Sequence, residues 1–93
     1  MTQAYKYQFK KHIDLRDVED TLFLAILAAE GLFSEALVRM NSNYQQDRDA
    51  GTITLDADTP VGQVVNTIFT TYAIKEFGRD GFTVQRLKKE ADS

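Results

Sequence analysis

His12 and Asp14 are the residues whose types and spacing come closest to acid–base chemistry. An imidazole titrates near neutral pH, and a nearby carboxylate can orient it and stabilise its charged form. No serine or cysteine nucleophile stands beside them in a recognisable context, and the chain has no cysteine and a single histidine. An enzymatic site would have to place His12 opposite carboxylates across a dimer interface. We expect instead a solvated histidine at the end of a strand, no enzymatic activity and no cofactor.

The segment Asp47-x-Asp49-x-Gly51, with Asp58 eleven residues after Asp47, is a candidate metal-binding loop. A helix–loop–helix calcium site has an oxygen ligand at its fifth position, glycine at its sixth and glutamate at its twelfth. Those positions hold Gly51, Thr52 and Asp58, so the match is poor. Because glycine readily adopts a positive φ, we expect this segment to form a hairpin turn and to bind no metal.

The composition indicates one globular domain covering residues 1–93. The chain is 43 % hydrophobic and 27 % charged, which is typical of folded rather than disordered proteins. No apolar run approaches the roughly 18 residues of a membrane span, and the first residues lack the apolar core of a signal peptide. Since there is also no cysteine for disulfides, we expect a cytoplasmic protein. The acidic net charge of −3 argues against nucleic acid as a partner.

Alternation and helix-start signals divide the chain into six elements. Aromatic and polar residues alternate from Tyr5 to Phe9, which predicts a half-buried strand. Asp14 is a suitable N-cap for a first helix, and Thr59 followed by Pro60 begins a second. The predicted elements are a strand over 5–12, a helix over 14–33, a strand over 36–44, a strand over 52–57, a helix from 59 to Gly78 and a strand over 82–87.

This β-α-β-β-α-β order predicts an α+β two-layer sandwich of the ferredoxin-like kind. Its four-stranded antiparallel sheet would carry both helices on one face, with strands one and three at the centre. The alternative is a different strand order built from the same elements. Gly62 is a poor helix former in the first turn of the second helix, and close packing against a strand or a neighbouring chain is the reason we expect for it.

The first helix carries more apolar residues than one buried face needs. At about 100° per residue, half of its circumference already offers the sheet an apolar surface. Four further residues, on the flank and far side, are Phe23, Leu24, Leu27 and Ala28. A helix that is apolar nearly all round is buried on both sides, so we expect these four to form an interface, most simply in a homodimer. The alternatives are that they belong to the core, or that a loop or tail covers them.

This apolar surface predicts a small non-enzymatic protein-interaction or oligomerisation module. The alternative function uses the other face of the sheet, which is polar and locally basic. Its candidate anion-binding residues are Lys6, Lys10, His12 and Arg39. They would hold a small anionic ligand or a nucleic acid backbone, although the face lacks the exposed aromatics that stack on RNA bases. The competing structural explanation is that lysines at strand edges discourage aggregation. No particular small-molecule ligand is indicated.

Overall fold

The computed structural model describes residues 2–89 and has an α+β architecture, with a four-stranded antiparallel sheet and three α-helices. The elements in chain order are β1 (Thr2–Phe9), α1 (Leu15–Glu30), α2 (Glu35–Asn41), β2 (Tyr44–Asp47), β3 (Thr52–Asp56), α3 (Pro60–Phe77), a 3-10 turn (Arg79–Gly81) and β4 (Phe82–Lys89). Among the described residues, no helix is long and apolar enough to cross a membrane.

The strands lie in the order β2-β3-β1-β4, so β1 and β3 are central and β2 and β4 form the edges. This agrees with the predicted central position of the first and third strands. Tyr7 of β1 pairs with Ile53 of β3 on one side and with Val84 of β4 on the other. All three pairings are antiparallel.

The core lies between one face of the sheet and the helices. Because side chains alternate along a strand, Tyr7 and Phe9 share one face of β1 and are both buried, as predicted. The sheet also contributes Ile53 and Leu55 of β3 and Phe82 of β4 to this cluster. The helices contribute Val18, Leu22, Ala25 and Ala29 of α1, Val38 of α2, and Val61, Val65, Phe69 and Ala73 of α3. The opposite face of the sheet carries no helix and is lined mainly by polar residues such as Lys6, Thr54 and Gln85.

Local signals at the element ends behave as predicted. The Asp14 side chain accepts a hydrogen bond from the Arg16 amide at the start of α1, and Thr59 accepts one from the Gly62 amide at the start of α3. The helix α3 ends at Gly78, whose φ of 80° suits a residue without a side chain. The predicted hairpin turn is also present, with Gly51 at φ 69°.

The predicted strand over residues 36–44 is wrong. Residues 35–41 form α2 instead, and β2 begins only at Tyr44 and is four residues long. The Ser34 hydroxyl accepts a hydrogen bond from the Leu37 amide, which caps α2. Val38 is buried where α2 packs against α1 and α3. The apolar spacing in this segment suits either structure, and the N-cap together with the burial of Val38 favours the helix.

Gly62 has the structural role that the sequence left open. A Cβ atom at this position would lie 2.6 Å from the Asp56 carbonyl oxygen and 3.1 Å from the Thr59 hydroxyl oxygen. The start of α3 therefore packs against the end of β3 more closely than any side chain permits. Of the two predicted reasons for this glycine, packing against a strand is confirmed.

Candidate interaction surface

The helix α1 divides into a buried inner face and an exposed outer one. Val18, Leu22, Ala25 and Ala29 recur at intervals of three or four residues and are fully buried, as expected for the sheet-facing side of an amphipathic helix. The outer side carries three large apolar residues with exposed fractions of 44 % (Phe23), 58 % (Leu24) and 60 % (Leu27). We call these three the outer α1 face.

The exposure of the outer α1 face excludes the alternative that its residues belong to the core. These three side chains do not belong to the core, and no segment within residues 2–89 covers them. Ala28, the fourth predicted interface residue, is half-buried. The helical phase inferred from the sequence was therefore correct for the large side chains, while Ala28 lies at the edge of the exposed surface.

The neighbours of the outer α1 face differ on its two sides. The Phe23 ring contacts the ring of Tyr44 in an edge-on arrangement, with centroids 6.3 Å apart, so this side borders the edge strand β2. On the other side, Leu24 lines a groove together with Tyr72 and Lys75 of α3. Leu27 is the most exposed of the three. The apolar surface is therefore bordered by partly polar surface on both sides.

The chain segment 23–40 holds most of the exposed apolar surface that the structure describes. Of seven large hydrophobic residues that are exposed, six lie in this segment, and the seventh is Val84 on β4. The three beyond the outer α1 face are Leu32, Leu37 and Met40. Leu37 and Met40 were missed because α2 was predicted to be a strand, whereas Leu32 lies between α1 and α2, just after the end of α1 at Glu30. The signal that could have revealed α2 is Ser34 followed by Glu35, a favourable N-cap with an acidic first turn.

The candidate anion-binding residues do not gather on the open sheet face. Lys6 lies on that face, between Thr54 and Gln85 in the strand register. Lys10 and His12 follow the end of β1 and were wrongly placed on the strand, which stops at Phe9. Arg39 was also wrongly placed, because it belongs to α2, where its Nε atom lies 3.3 Å from Glu35 Oε1.

The surroundings of Lys6 have mixed charge. Lys6 and Arg48 line a shallow basin on the open face together with the threonines of β3, but Asp47 and Asp49 line the same basin. Two carboxylates in the basin oppose the binding of an anion. The surface electrostatics therefore favour no anionic ligand at this place.

Tyr7 carries the one buried ionisable group with a strongly shifted pKa among the residues described. Its hydroxyl donates a hydrogen bond to Asn66 Oδ1 and lies 2.6 Å from Thr70 Oγ1. Burial raises the pKa of Tyr7 to about 12, although the hydrogen bond with Thr70 acts in the opposite direction. The Tyr7 hydroxyl therefore stays protonated at neutral pH, and both of its hydrogen-bond partners lie on α3. Its role is to join β1 to α3 and not to act as a base.

Comparison of the chain with protein-family models, with curated proteins and with solved structures found no match in any of the three. Within residues 2–89, no three His, Cys, Asp or Glu residues are grouped so that they could hold a metal ion. The arrangement that stands out is therefore the outer α1 face, an apolar surface on a helix whose opposite side is already buried.

Proposed function

We propose that this protein is a small non-enzymatic module that self-associates through the outer α1 face. The observation that carries the proposal is the exposure of three neighbouring large apolar side chains, Phe23, Leu24 and Leu27, on a helix whose other face forms the core. Scattered exposed apolar residues are normal on protein surfaces, but a contiguous apolar patch marks an interaction site more often.

The exposed area suggests a weak dimer rather than an obligate one. The uncovered parts of the three side chains amount to roughly 300 Å² per copy, or roughly 600 Å² for two copies. Stable interfaces bury about 1,200–2,000 Å² in total. At about 25 cal/mol/Å² the gross gain is roughly 15 kcal/mol, and the entropic cost of association, about 4–15 kcal/mol, offsets much of it. We therefore expect a dissociation constant in the micromolar range or weaker.

The same proposal includes the finer fold class, a ferredoxin-like sandwich with α2 inserted between the first helix and the second strand. The strand order with β1 and β3 at the centre supports it. A cytoplasmic location also belongs to the proposal and is favoured by the absence of cysteine. The non-enzymatic assignment is supported by the position of His12 and Asp14, which are exposed and lie outside β1.

The test is the mass of the protein in solution, measured by light scattering after size exclusion over a range of concentrations. We expect the mass to rise from 10.6 kDa towards twice that value between roughly 1 and several hundred micromolar. Leu27→Glu places a charge on the outer α1 face and should keep the protein monomeric without changing its circular dichroism spectrum. Leu24→Glu should act in the same way and serves as the second variant if the first one unfolds.

Val84→Glu is the control, because Val84 is also a large exposed apolar residue, with an exposed fraction of 45 % close to that of Phe23, but lies on β4. It should dimerise as the wild type does. A wild-type protein that stays monomeric at all concentrations would overturn the proposal, and so would a Leu27→Glu variant that is folded and still dimeric.

A further inference from the structure

Two charges lie in line with Phe23 along α1. Phe23 lies seven residues after Arg16 and seven before Glu30. Seven residues make close to two turns of helix, so the position around the helix axis changes by only about 20° from one of these residues to the next. Each interval spans about 10.5 Å along the helix axis. Arg16 is exposed and Glu30 is half-buried. The outer side of α1 therefore presents a positive charge, an apolar centre and a negative charge in a row.

Both charges have the wrong sign for the helix that carries them. The dipole of a helix favours acidic residues in its first turn and basic residues in its last, yet Arg16 stands in the first turn of α1 and Glu30 ends the helix. The two ion pairs found within residues 2–89 are Arg39–Glu35 and Arg48–Glu19, so neither Arg16 nor Glu30 is paired with another of the described residues. The dipole of α1 therefore opposes both charges, and no ion pair among the described residues compensates for it.

We infer that two copies pair their α1 helices antiparallel, about a two-fold axis near Phe23, with Arg16 of each copy beside Glu30 of the other. The inference rests on the proposed self-association and specifies its geometry. A two-fold axis matches each residue with the one equally far from the axis in the opposite direction, and both charges lie seven residues from Phe23. The arrangement forms both ion pairs at once and brings the two Phe23 rings together.

The charges also decide against the parallel arrangement. Parallel α1 helices would place Arg16 beside Arg16 and Glu30 beside Glu30, and like charges at an interface are repulsive. The antiparallel arrangement in addition sets each Arg16 near the negative end of the facing helix and each Glu30 near its positive end. Electrostatic complementarity of this kind fixes orientation more than it adds affinity.

The test is a charge exchange on the full chain, with the dimer dissociation constant measured by sedimentation at low salt. Arg16→Glu and Glu30→Arg each turn two attractive contacts into repulsive ones, and each should weaken the dimer about ten-fold. The double variant restores both pairs with exchanged signs and should return to within about three-fold of the wild type. High salt should reduce all of these differences.

The melting temperature of the dilute monomer distinguishes a weaker dimer from an unfolding artefact. Each single substitution corrects a charge against the dipole of its own helix, but Arg16→Glu also places a like charge four residues before Asp20, so the melting temperature of the dilute monomer should change little. Matched controls are Arg86→Glu on β4 and Asp58→Arg before α3, which change the net charge equally on exposed positions outside α1. If Glu30→Arg does not fold, Glu30→Gln should still weaken the dimer, by about three-fold.

The outcomes separate the two proposals. A wild-type chain that never dimerises overturns the proposed function and this geometry together. A wild-type dimer whose single variants bind as tightly as the controls, or whose double variant is no tighter than the singles, overturns the antiparallel geometry while self-association stands. Weakening in both single variants and recovery in the double variant supports the geometry.

Discussion

Replacing Gly62 with alanine adds one methyl group where the start of α3 meets the end of β3. The added Cβ atom would lie 2.6 Å from the Asp56 carbonyl oxygen, well inside van der Waals contact, and 3.1 Å from Thr59 Oγ1. Both neighbours are difficult to move. The first is the backbone of the last residue of β3, and the second accepts the N-cap hydrogen bond from the Gly62 amide at 2.9 Å. Relief of the clash therefore requires α3 to shift away from the sheet.

The expected loss of stability follows from three contributions. Alanine is the better helix former by about 1 kcal/mol. Overpacking of this kind costs about 1–3 kcal/mol, and weakening of the Thr59 N-cap costs about 1 kcal/mol more. The net expectation is a decrease of about 1–3 kcal/mol in the free energy of unfolding. In a domain of this size, each kcal/mol lowers the melting temperature by about 4–8 °C.

Urea unfolding followed by far-ultraviolet circular dichroism measures this change, at concentrations where the protein is monomeric. Gly31→Ala is the matched control, because Gly31 has ordinary helical angles of φ −73° and ψ −17°. That variant should change the free energy of unfolding by no more than about 0.5 kcal/mol, or stabilise the fold. If Gly62→Ala is as stable as the wild type, the close approach of α3 to β3 is not required by the fold, and the packing argument for this glycine is wrong.

Two further substitutions test other contacts. Tyr7→Phe should cost about 1–2 kcal/mol at neutral pH, because Asn66 and Thr70 lose their hydrogen-bond partner. The folded-state pKa of Tyr7, about 12, lies above the unfolded value of about 10. This contribution to stability is therefore complete below pH 10 and is lost as the pH rises towards 12, a decrease of about 2–3 kcal/mol that the variant should lack. Urea unfolding at pH 9 and pH 11 measures the part of this decrease that falls between those two values, about half of it or about 1 kcal/mol, and equal pH dependence in both proteins would contradict the burial argument. Gly51→Ala should lose about 1–2 kcal/mol, because φ is 69° there, and Gly51→Asn should lose less. Thermal unfolding compares the two, and equal losses would show that positive φ is not the reason for glycine.

The elements that the sequence predicts well are those with strong local signals. The alternation around Tyr7 in β1 and the N-caps Asp14 and Thr59 depend only on neighbours along the chain, and the structure retains them. The segment from residue 36 to 44 lacks such a decisive signal. Its apolar residues satisfy both the two-residue and the helical period over a short length, and burial of Val38 against two other helices favours α2.

Of the two candidate sites, one follows from local sequence patterns and the other depends on the tertiary structure. The outer α1 face was predictable, because a rotation of about 100° per residue places Phe23, Leu24 and Leu27 away from the buried stripe in any tertiary context. The predicted gathering of Lys6, Lys10, His12 and Arg39 on the open sheet face was wrong, because it required β1 to continue past Phe9 and Arg39 to lie on a strand. Where a strand ends, and which distant segments become neighbours, depends on long-range packing that local sequence patterns do not contain.

By itself, the sequence therefore determined the helical phase of α1 and the surplus of apolar residues on it, since both follow from the fixed geometry of a helix. Tertiary structure alone decided that the surplus is exposed within residues 2–89, that α2 adds Leu37 and Met40 to the exposed apolar surface, and that α3 begins against β3 at Gly62. Burial and close approach are properties of several packed elements together, and they arise only when those elements meet.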